Sequence, residues 1–577
     1  MAEAERRFQT FRKVGIARLS LLTIAVGLFT FYLLGSLPFW PSLVPLVGFF
    51  LLAPTQQRIS DERRHFERAA EFYGSGLERL DDHWIGKGST GLKYLPPSHP
   101  YAEDLDLFGA GSFFELISRA RTSVGEATLA DWLLSPASKD ITISRQTAVD
   151  ELRSSLDLRE DIALLGENIH TGADAAALSE WAAAPPWKIT GSVRAIGFLL
   201  SGLALITLIA WIAGFDAKIF LVAVILSQLF GFHFRGPVQK VISSVDVPAK
   251  DLQLLVEVLR RIEQEQFTSP RLVELRSQLD VAGLPPSRQI AKLKRLTELL
   301  DSRRNLFFAP IAFIVLWSLH CAIAIELWRQ KSGPAVARWL AAVGEIEALS
   351  SIAGYAFEHP NDPFPEFVDE GAVFDATALG HPLISNSQNV RTDLRLSDNS
   401  SVLIVSGSNM SGKSTLLRSV GTNAVLALAG APVRATRLLI SPVQVGASIR
   451  VQDSLQAGAS RFYAEITRLR QIVELTKGTI PVLFLLDEIL HGTNSHDRRI
   501  GAEGVVRGLI ARGAIGLVTT HDLALTKIVD DLESKAANVH FEDHLEAGRM
   551  TFDYVLRPGV LLKSNALELM RSVGLEI

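Results

Sequence analysis

A stretch of eight residues in the C-terminal third has the residue types and spacing of a phosphate-binding loop. It reads Gly407-Ser408-Asn409-Met410-Ser411-Gly412-Lys413-Ser414, which fits the pattern G-x-x-x-x-G-K-[ST]. The glycines let the backbone turn tightly, so that successive N–H groups can point at a phosphate. Lys413 would reach the β- and γ-phosphates, and the Ser414 hydroxyl would ligate Mg²⁺. With Thr415, these residues form the predicted ATP-binding set.

An acidic pair and a histidine downstream have the types needed to complete an ATPase site. Asp487-Glu488 directly follows the apolar run at residues 481–486. An aspartate at the end of a buried strand beside the loop can hold Mg²⁺, generally through water. Glu488 is placed to orient or deprotonate the attacking water. His521 ends the next apolar run, at residues 515–519, where it can sense the γ-phosphate or the water. We therefore predict that Lys413, Glu488 and His521 are catalytic and that Ser414 and Asp487 hold Mg²⁺.

The elements around these residues predict how they are brought together. An apolar run precedes the loop, and a helix-like run, residues 415–428, follows it. Strands that alternate with helices in this way build a mainly parallel sheet with its ligands at the carboxyl ends of the strands. The predicted fold is multidomain, with α and α/β parts, and ends in a P-loop ATPase domain.

These motifs together resemble the MutS family of DNA mismatch-repair ATPases, from about residue 365 to the end. The matching segments are the loop with its Asn409-Met410, the acidic box Asp487-Glu488-Ile489 with Gly492-Thr493-Asn494-Ser495 and Asp497, the pair Thr520-His521, the segment Asp453-Ser454-Leu455 with Ser460-Arg461-Phe462 and Glu465, and Ser564-Asn565-Ala566-Leu567 with Gly574. In that family, the serine at the position of Ser460 is offered to the γ-phosphate of the partner subunit. The resemblance therefore implies that Ser460 acts in trans and that the ATPase domains form a homodimer.

The resemblance continues more weakly upstream. Residues 111–136, 145–152 and 345–355 are similar to the family's helical core, and His381-Pro382-Leu383-Ile384 is similar to the opening of its ATPase domain. A Phe-x-Glu motif reads mismatches in the repair enzymes, but Phe113-Phe114-Glu115 falls within the core match, where we interpret it as packing. We expect a membrane hairpin instead of the family's mismatch-recognition domain before the core. The residue that stacks on adenine is sought at residues 384–396, where none is aromatic.

The composition is apolar for a multidomain protein. Hydrophobic residues make up 48% of the 577 residues and charged residues 21%, with mean hydropathy +0.22. This balance indicates membrane segments. The formal net charge of −4 gives no global basic footprint for nucleic acid, so any such binding rests on local patches. The single cysteine, Cys321, excludes an intrachain disulfide and fits a reducing compartment.

Two pairs of uncharged runs predict four transmembrane helices. The first pair covers residues 19–35 and 37–54, and the second covers residues 195–214 and 219–234. Each run is close to the length that crosses a bilayer as a helix. Basic residues flank each pair, so both hairpins are predicted to have cytoplasmic ends. A cleaved signal peptide is the alternative for the first pair, and a buried soluble hairpin is the alternative for the second.

A fifth apolar run, residues 306–325, has basic residues on both sides. A fifth full span would place the phosphate-binding loop outside the cell, where ATP is scarce. We therefore predict a buried or membrane-surface helix there. The expected location is the cytoplasmic (inner) membrane, multi-pass, with the ATPase domain in the cytoplasm.

The predicted domains follow from these segments. They are an N-terminal transmembrane hairpin (1–54), a first part of the helical core (55–187), a second hairpin (188–236), a lever and second core part (237–364) and the ATPase domain (365–577).

Three functions were weighed from these patterns. The first is a membrane-anchored MutS-like ATPase that binds DNA, mismatched or branched, through the basic lever residues between Arg260 and Arg304. The alternative is a membrane-bound, ATP-driven motor or scaffold that acts on a protein or lipid partner and has no DNA role. An ABC-type transporter is disfavoured because L-S-G-G-Q is absent between Lys413 and Asp487.

Overall fold

The fold comes from a computed structural model that describes residues 2–166, 175–187, 189–280, 283–369, 371–450, 461–490, 495–521, 523–546 and 549–561. The chain forms two compact units. The first is Met1–Trp84 with Glu160–Leu164, and the second is the remainder of the chain.

Long helices dominate the first unit. They are α1 (Ala2–Leu33), α2 (Leu43–Leu51) and α3 (Ala53–Leu80), with a 3₁₀ turn at Trp40–Ser42. The N-terminal part of α1 packs against α3, and Arg7 lies 2.9 Å from the Glu62 carboxylate. Arg18 donates through Nε to the carbonyl of Phe49 at 3.2 Å. The basic start of α1 is thus held by polar groups, while its second half exposes apolar side chains.

The prediction of a second span at residues 37–54 is wrong in its form. The run contains Pro38, Pro41 and Pro45 and begins as a turn, and after the 3₁₀ helix at Trp40–Ser42 only the nine residues of α2 are α-helical before Leu52. Nine residues rise about 14 Å, less than half of the hydrocarbon core of a bilayer. Proline removes a backbone donor and favours turns over helix interiors, which explains the interruption.

The second unit begins with a helical bundle. Its helices are α4 (Phe113–Ile117), α5 (Ser123–Leu134), α6 (Lys139–Ser154), α7 (Leu156–Gly166, which gives Glu160–Leu164 to the first unit), α8 (Ala175–Ala183), α9 (Gly191–Ile212), α10 (Ala217–His233), α11 (Arg235–Gln264), α12 (Pro270–Leu279), α13 (Pro286–Asp301), α14 (Ala309–Ile314) and α15 (Trp317–Glu358).

Helix α15 is the central element of this bundle, and α5, α6, α11, α12 and α13 pack around it. Two indole groups tie it to its neighbours: Trp328 Nε1 donates to the carbonyl of Gln289 at 2.7 Å, and Trp339 Nε1 donates to the carbonyl of Leu279 at 2.9 Å. Buried tryptophans need such partners because an unpaired N–H in the interior is costly. The C-terminal end of α12 and the N-terminal end of α13 are therefore held against α15.

The interpretation of Phe113-Phe114-Glu115 as packing is confirmed. Both phenylalanine side chains are fully buried in α4. The Glu115 carboxylate is buried too, and it accepts backbone hydrogen bonds from Gly86, Gly88 and Gly111 at 2.7–3.2 Å. The motif thus closes a loop of its own chain.

Among the described residues, three helices are long and apolar enough to cross a membrane: Glu5–Leu33, Gly191–Ile212 and Trp317–Glu358. The bent pair Ala217–His233 and Arg235–Gln253, with 66° between its halves, would make a fourth. The apolar window of Trp317–Glu358 is 83% buried inside the protein, whereas the windows of the first two are mostly exposed. Burial assigns α15 to the protein interior.

The prediction of one helix over residues 306–325 is also wrong in its form. The run divides into α14 and the start of α15, and Leu316 between them has a left-handed backbone with φ of 51°. Such a φ is strained for a leucine and ends a right-handed helix. The break is therefore a fixed feature of this segment.

The C-terminal part is an α/β domain. Its strands are β1 (Glu366–Phe367), β2 (Phe374–Leu379), β3 (Thr392–Leu396), β4 (Val402–Ser406), β5 (Arg437–Ile440), β6 (Gln444–Ser448), β7 (Val482–Asp487), β8 (Ile515–Thr520), β9 (Ala536–Glu546) and β10 (Arg549–Pro558), and its helices are α16 (Lys413–Ala429), α17 (Arg461–Leu475), α18 (Ser495–Ile510), α19 (Leu523–Thr526) and α20 (Ile528–Leu532).

The larger sheet has the strand order β10-β9-β4-β8-β7-β6, and all its described pairs are parallel except β10 with β9. This confirms the prediction of a mainly parallel sheet. Strands β4, β7 and β8 are almost wholly buried because helices cover both faces, which is why their sequences are continuous apolar runs. A smaller sheet, β1-β5-β2-β3, stands beside it.

Candidate functional site

The glycine loop connects β4 to the N-terminus of α16, as the sequence predicts. Gly412 caps the helix with φ of 102°, a conformation that a side chain would strain. A Cβ at Gly407 would lie 2.7 Å from Ser411 Oγ, so the close fold of the loop needs a glycine there. The loop has the backbone arrangement expected of a phosphate-binding loop.

Two serines of the loop suit an anionic ligand. Ser408 Oγ and Ser411 Oγ are buried, and within the described part of the chain neither has a hydrogen-bond partner. Buried hydroxyls normally find one, and phosphate oxygens are strong acceptors. Asn409 and Met410 line the adjacent cleft with Gly412. The loop therefore fits the phosphates of a nucleotide.

Lys413 is held over the loop from its first helical position. Its Nζ donates to the carbonyls of Gly407 and Ser408 at 2.8 Å each and lies 3.6 Å from the Glu488 carboxylate. Burial lowers the pKa of the ammonium, and Glu488 and Asp487 oppose this shift. The cation thus sits where backbone carbonyls and carboxylates hold it, in the position expected for a phosphate partner.

Asp487, at the carboxyl end of β7, contacts Ser414, in the first turn of α16. Ser414 Oγ donates to Asp487 Oδ2 at 2.5 Å, and the Thr519 hydroxyl donates to Asp487 Oδ1. One hydroxyl and one carboxylate are the oxygen donors that a P-loop Mg²⁺ site uses. The two residues predicted to hold Mg²⁺ are therefore in contact, and they fit that ion.

Glu488 follows at the end of β7 in an unusual backbone conformation, with φ of 46°. Its N–H donates to Thr519 Oγ1 at 3.0 Å, and its carboxylate lies 3.4 Å from His521 Nδ1. The bend aims the carboxylate back toward Lys413, away from the course of the strand. A strained residue at a strand end beside a cleft is typical of functional sites.

A cleft of about 1060 Å³ opens beside the loop. Thr415, Lys413, Asp487 and Glu488 line it, and residues between 379 and 392 form a further wall. Aromatic rings that sequence reasoning missed complete the lining: Phe541, Phe552 and Tyr554. They come from β9 and β10, about 150 residues further along the chain than residues 384–396, and the alternation of Phe552 and Tyr554 on β10 was the available signal.

Several predicted residues lie outside the described residues. Ser460 is one of them, as are Asp453, Gly492 and Ser564. Glu465, in α17, is described, and its buried carboxylate accepts the backbone N–H of Leu490, two residues after Glu488. Glu465 thus holds the chain in place just after the acidic pair.

Sequence reasoning also missed a cluster around Asp104, which we call the Asp104 clasp. The Asp104 carboxylate is buried, and its Oδ1 accepts the N–H groups of Ile449 and Arg450 at 2.7 Å each. Arg468 of α17 lies 3.8 Å from Oδ2, and the Arg418 side chain of α16 donates to the Asp104 carbonyl at 3.1 Å. The clasp joins Asp104, in the first part of the predicted core, to the chain at Ile449 and Arg450 and to helices α16 and α17.

A strand, a glycine loop, a helix and an acid pair at one edge of a mainly parallel sheet have the arrangement typical of a nucleotide-binding α/β domain. The family described as MutS domain V matches residues 403–576. Endonuclease MutS2 of Thermus thermophilus is 34% identical over 207 residues, which are 36% of this chain and 27% of that protein. DNA mismatch repair protein MutS 2 of Halobacterium salinarum is 34% identical over 244 residues, 42% of this chain and 27% of that protein.

The C-terminal part of the chain, residues 403–576, belongs to the MutS domain V family. The matched stretches span about a quarter of the length of these two relatives.

Proposed function

We propose that this protein hydrolyses ATP with Mg²⁺ at the cleft beside residues 407–415. The observation that supports this proposal most directly is the convergence of Lys413, Ser414, Asp487 and Glu488 at the carboxyl ends of β4 and β7. Ligands of open α/β sheets bind at that edge. Membership of a family whose relatives carry DNA-repair names adds to it.

Each side chain has a role in this proposal. Lys413 leaves the loop carbonyls and pairs with the β- and γ-phosphates, and the hydroxyls of Ser408 and Ser411 donate to phosphate oxygens. Ser414 and Asp487 hold Mg²⁺, which neutralises phosphate charge. Glu488 orients the attacking water and accepts its proton, and His521 steadies the Glu488 carboxylate at 3.4 Å.

The replacement Glu488→Gln tests this assignment because it keeps the shape of the side chain and removes its proton acceptor. We expect ATP affinity to persist and turnover to fall about 10²- to 10⁴-fold, the usual contribution of a general base. Glu474→Gln, an exposed glutamate of α17 paired with Lys477, is the matched control. Equal turnover in Glu488→Gln and the natural protein would place the base elsewhere.

The proposal includes a homodimer in which Ser460 reaches the γ-phosphate of the partner subunit. Its support is the resemblance to the family. Equilibrium sedimentation of Glu488→Gln with ATP, in detergent, should give a dimer, and Ser460→Ala should weaken it. A monomer at all concentrations with bound ATP would contradict this part of the proposal.

Membrane attachment is the next part of the proposal. It is supported by the exposed apolar surfaces of α1, α9 and α10 and by the basic residues that flank them. We propose a multi-pass protein of the cytoplasmic membrane with the ATPase domain in the cytoplasm. Carbonate extraction of membranes tests it: recovery of the full chain in the soluble fraction would overturn the attachment.

DNA coupling is proposed through one face of α13. Arg288, Lys292 and Arg295 recur at helical spacing and are exposed, and within the described part of the chain no ion pair neutralises them. Duplex DNA should raise the ATPase rate in lipid nanodiscs at low salt, and Lys292→Glu/Arg295→Glu should abolish that rise. Arg437→Glu/Lys477→Glu in the ATPase domain is the control.

A second function, a membrane-bound motor or scaffold without a DNA role, is favoured by a specific observation. Basic lever residues pair with carboxylates of their own bundle: Arg260 with Glu257 at 2.8 Å, and Arg271 with Glu345 at 2.6 Å. This function predicts an ATPase rate that responds to lipid and is indifferent to DNA. The nanodisc experiment therefore separates the two functions.

A further inference from the structure

The segment around α14 exposes an unusual amount of apolar surface. Leu306 is 83% exposed and Phe307 is 88% exposed, and Ile311 and Phe313 are exposed at 44% and 59%. Four large apolar side chains within eight residues make a patch rather than scattered surface residues, and such patches mark contact with an apolar partner. The polar residues before the patch, Arg303 and Arg304, contrast with it.

This patch is continuous with the hairpin of α9 and α10. Helix α14 packs against both of those helices. Gly231 of α10 lets Leu316 approach that helix closely, because a Cβ at position 231 would lie 2.8 Å from a methyl group of Leu316. The exposed apolar side chains of α9, such as Leu199, therefore extend the same surface.

The backbone at the break is satisfied by side chains of the hairpin. Gln228 Nε2 donates to the carbonyl of Phe313 at 2.7 Å, and Ser201 Oγ donates to the carbonyl of Val315 at 2.8 Å. These carbonyls lie where α14 ends, and that of Phe313 also accepts a long hydrogen bond from the Leu316 N–H, at 3.4 Å. In water they would need no protein partner, whereas in hydrocarbon every backbone group must be paired internally. The hydrogen bonds are those that a broken helix in lipid requires.

The length of α14 fixes how far the segment can reach. Its six residues rise about 9 Å, against about 30 Å for the hydrocarbon core. The chain then turns at Leu316 into α15, whose apolar window is buried in the bundle that leads to the ATPase domain. A segment that enters beside a hairpin and leaves on the same side is re-entrant.

We propose that residues 306–313 form a re-entrant wedge whose apolar side chains lie among the acyl chains of the cytoplasmic leaflet. The proposal rests on the membrane attachment proposed above. Its partner is lipid, because the patch continues the lipid-facing surface of α9 and α10 and its freed carbonyls are paired within the protein. The wedge adds a contact with the acyl chains of one leaflet to the contacts that the second hairpin makes with lipid.

Site-specific fluorescence quenching tests the wedge. A Cys321→Ala background removes the only native thiol, and single cysteines at Phe307 and Phe313 take an environment-sensitive label. Leu199→Cys on α9 is the positive control. Val273→Cys on α12, an apolar residue that is 46% exposed and far from the hairpin in sequence, is the matched negative control.

In nanodiscs that contain doxyl lipids, we expect strong loss of emission at positions 307, 313 and 199 and little at 273. A spin label near the headgroup should quench positions 307 and 313 more than one at the acyl-chain end. Quenching at 199 alone, with iodide reaching 307 and 313 as it reaches 273, would overturn the wedge and leave the hairpin in place. Lipid quenching at none of them would overturn membrane attachment itself. Crosslinking of position 307 between two copies without lipid quenching would assign the patch to a second copy and overturn the proposal.

Discussion

The Asp104 clasp provides a sharp test of how the first part of the helical core controls the proposed ATPase site. The perturbation is Asp104→Asn, which keeps the size of the side chain and one oxygen acceptor but removes the negative charge. Asp104 is 1% exposed, and its Oδ1 serves two backbone donors, Ile449 and Arg450, at 2.7 Å. Burial raises the pKa of this carboxyl, and the two N–H groups oppose the shift.

The free-energy cost of Asp104→Asn follows from these contacts. A hydrogen bond to a charged group contributes about 1.5–3 kcal/mol and a neutral one about 1 kcal/mol, so two weakened bonds cost about 2 kcal/mol. That free energy is a change of about 30-fold in the equilibrium that holds Ile449 and Arg450 in place. Residues 451–460 begin directly after Arg450 and include Ser460, which the family resemblance assigns to the partner's ATP. Turnover should therefore fall by up to about 30-fold.

Affinity for ATP should not change, because Asp104 is not part of the cleft lining. The assay combines steady-state ATP hydrolysis with binding of a fluorescent ATP analogue, both in nanodiscs. Glu103→Gln, the exposed neighbour, is the control. Unchanged turnover in Asp104→Asn would refute the reasoning, and so would an equal loss of ATP affinity. A thermal unfolding curve separates either result from global unfolding.

Three further predictions concern the cleft. Gly412→Ala should lower ATP affinity at least about tenfold, because φ is 102° and the new Cβ would lie 3.1 Å from the Tyr554 ring, whereas Gly504→Ala, with open space around it, should not. Ser414→Ala should raise the Mg²⁺ concentration needed for half-maximal hydrolysis and leave metal-free ATP binding unchanged, as measured by Mg²⁺ titration. Burial lowers the pKa of His381 to about 4, and the nearby Arg418 adds to the shift. The free energy of unfolding should therefore fall by about 3 kcal/mol as the pH drops from 6.5 towards 4. The unfolded chain takes up a proton in that window and the folded chain does not; His381→Asn should flatten the unfolding free energy against pH.

The parts of the site that were predicted from sequence are local. The glycine pattern specifies its own turn, and the strand before it and helix after it are each a single run of residues. The acid pair could be placed because the chain direction puts the carboxyl ends of parallel strands at one edge. Lys413, Ser414, Asp487 and Glu488 were therefore expected together, and they are within hydrogen-bond or ion-pair distance of one another.

The parts that were missed depend on residues far apart in the chain. The clasp joins Asp104 to Ile449 across 345 residues, and no local pattern marks either one. The break at Leu316 depends on Gly231 and Ser201, which precede it by more than 80 residues and are unremarkable in their own helix. An apolar run of suitable length therefore predicts apolar surroundings but does not decide whether the helix is continuous.

The basic lever residues illustrate why charge alone could not settle the partner. Arg260 and Arg304 each have an acidic residue three positions earlier and pair with it, so their positive charge is offset within the bundle. Neither Lys292 nor Arg295 has an acidic residue three positions earlier, and within the described residues neither forms an ion pair, although Glu298 follows Arg295 by three positions. The positive charge that the bundle presents to solvent is thus smaller than the count of basic residues implies. A DNA duplex offers one charge per about 1.7 Å and would engage several cations at once, whereas this face offers three in about ten residues. The salt dependence of any DNA affinity should therefore be shallow, with a slope set by about three phosphates; a much steeper slope would require a basic surface beyond α13.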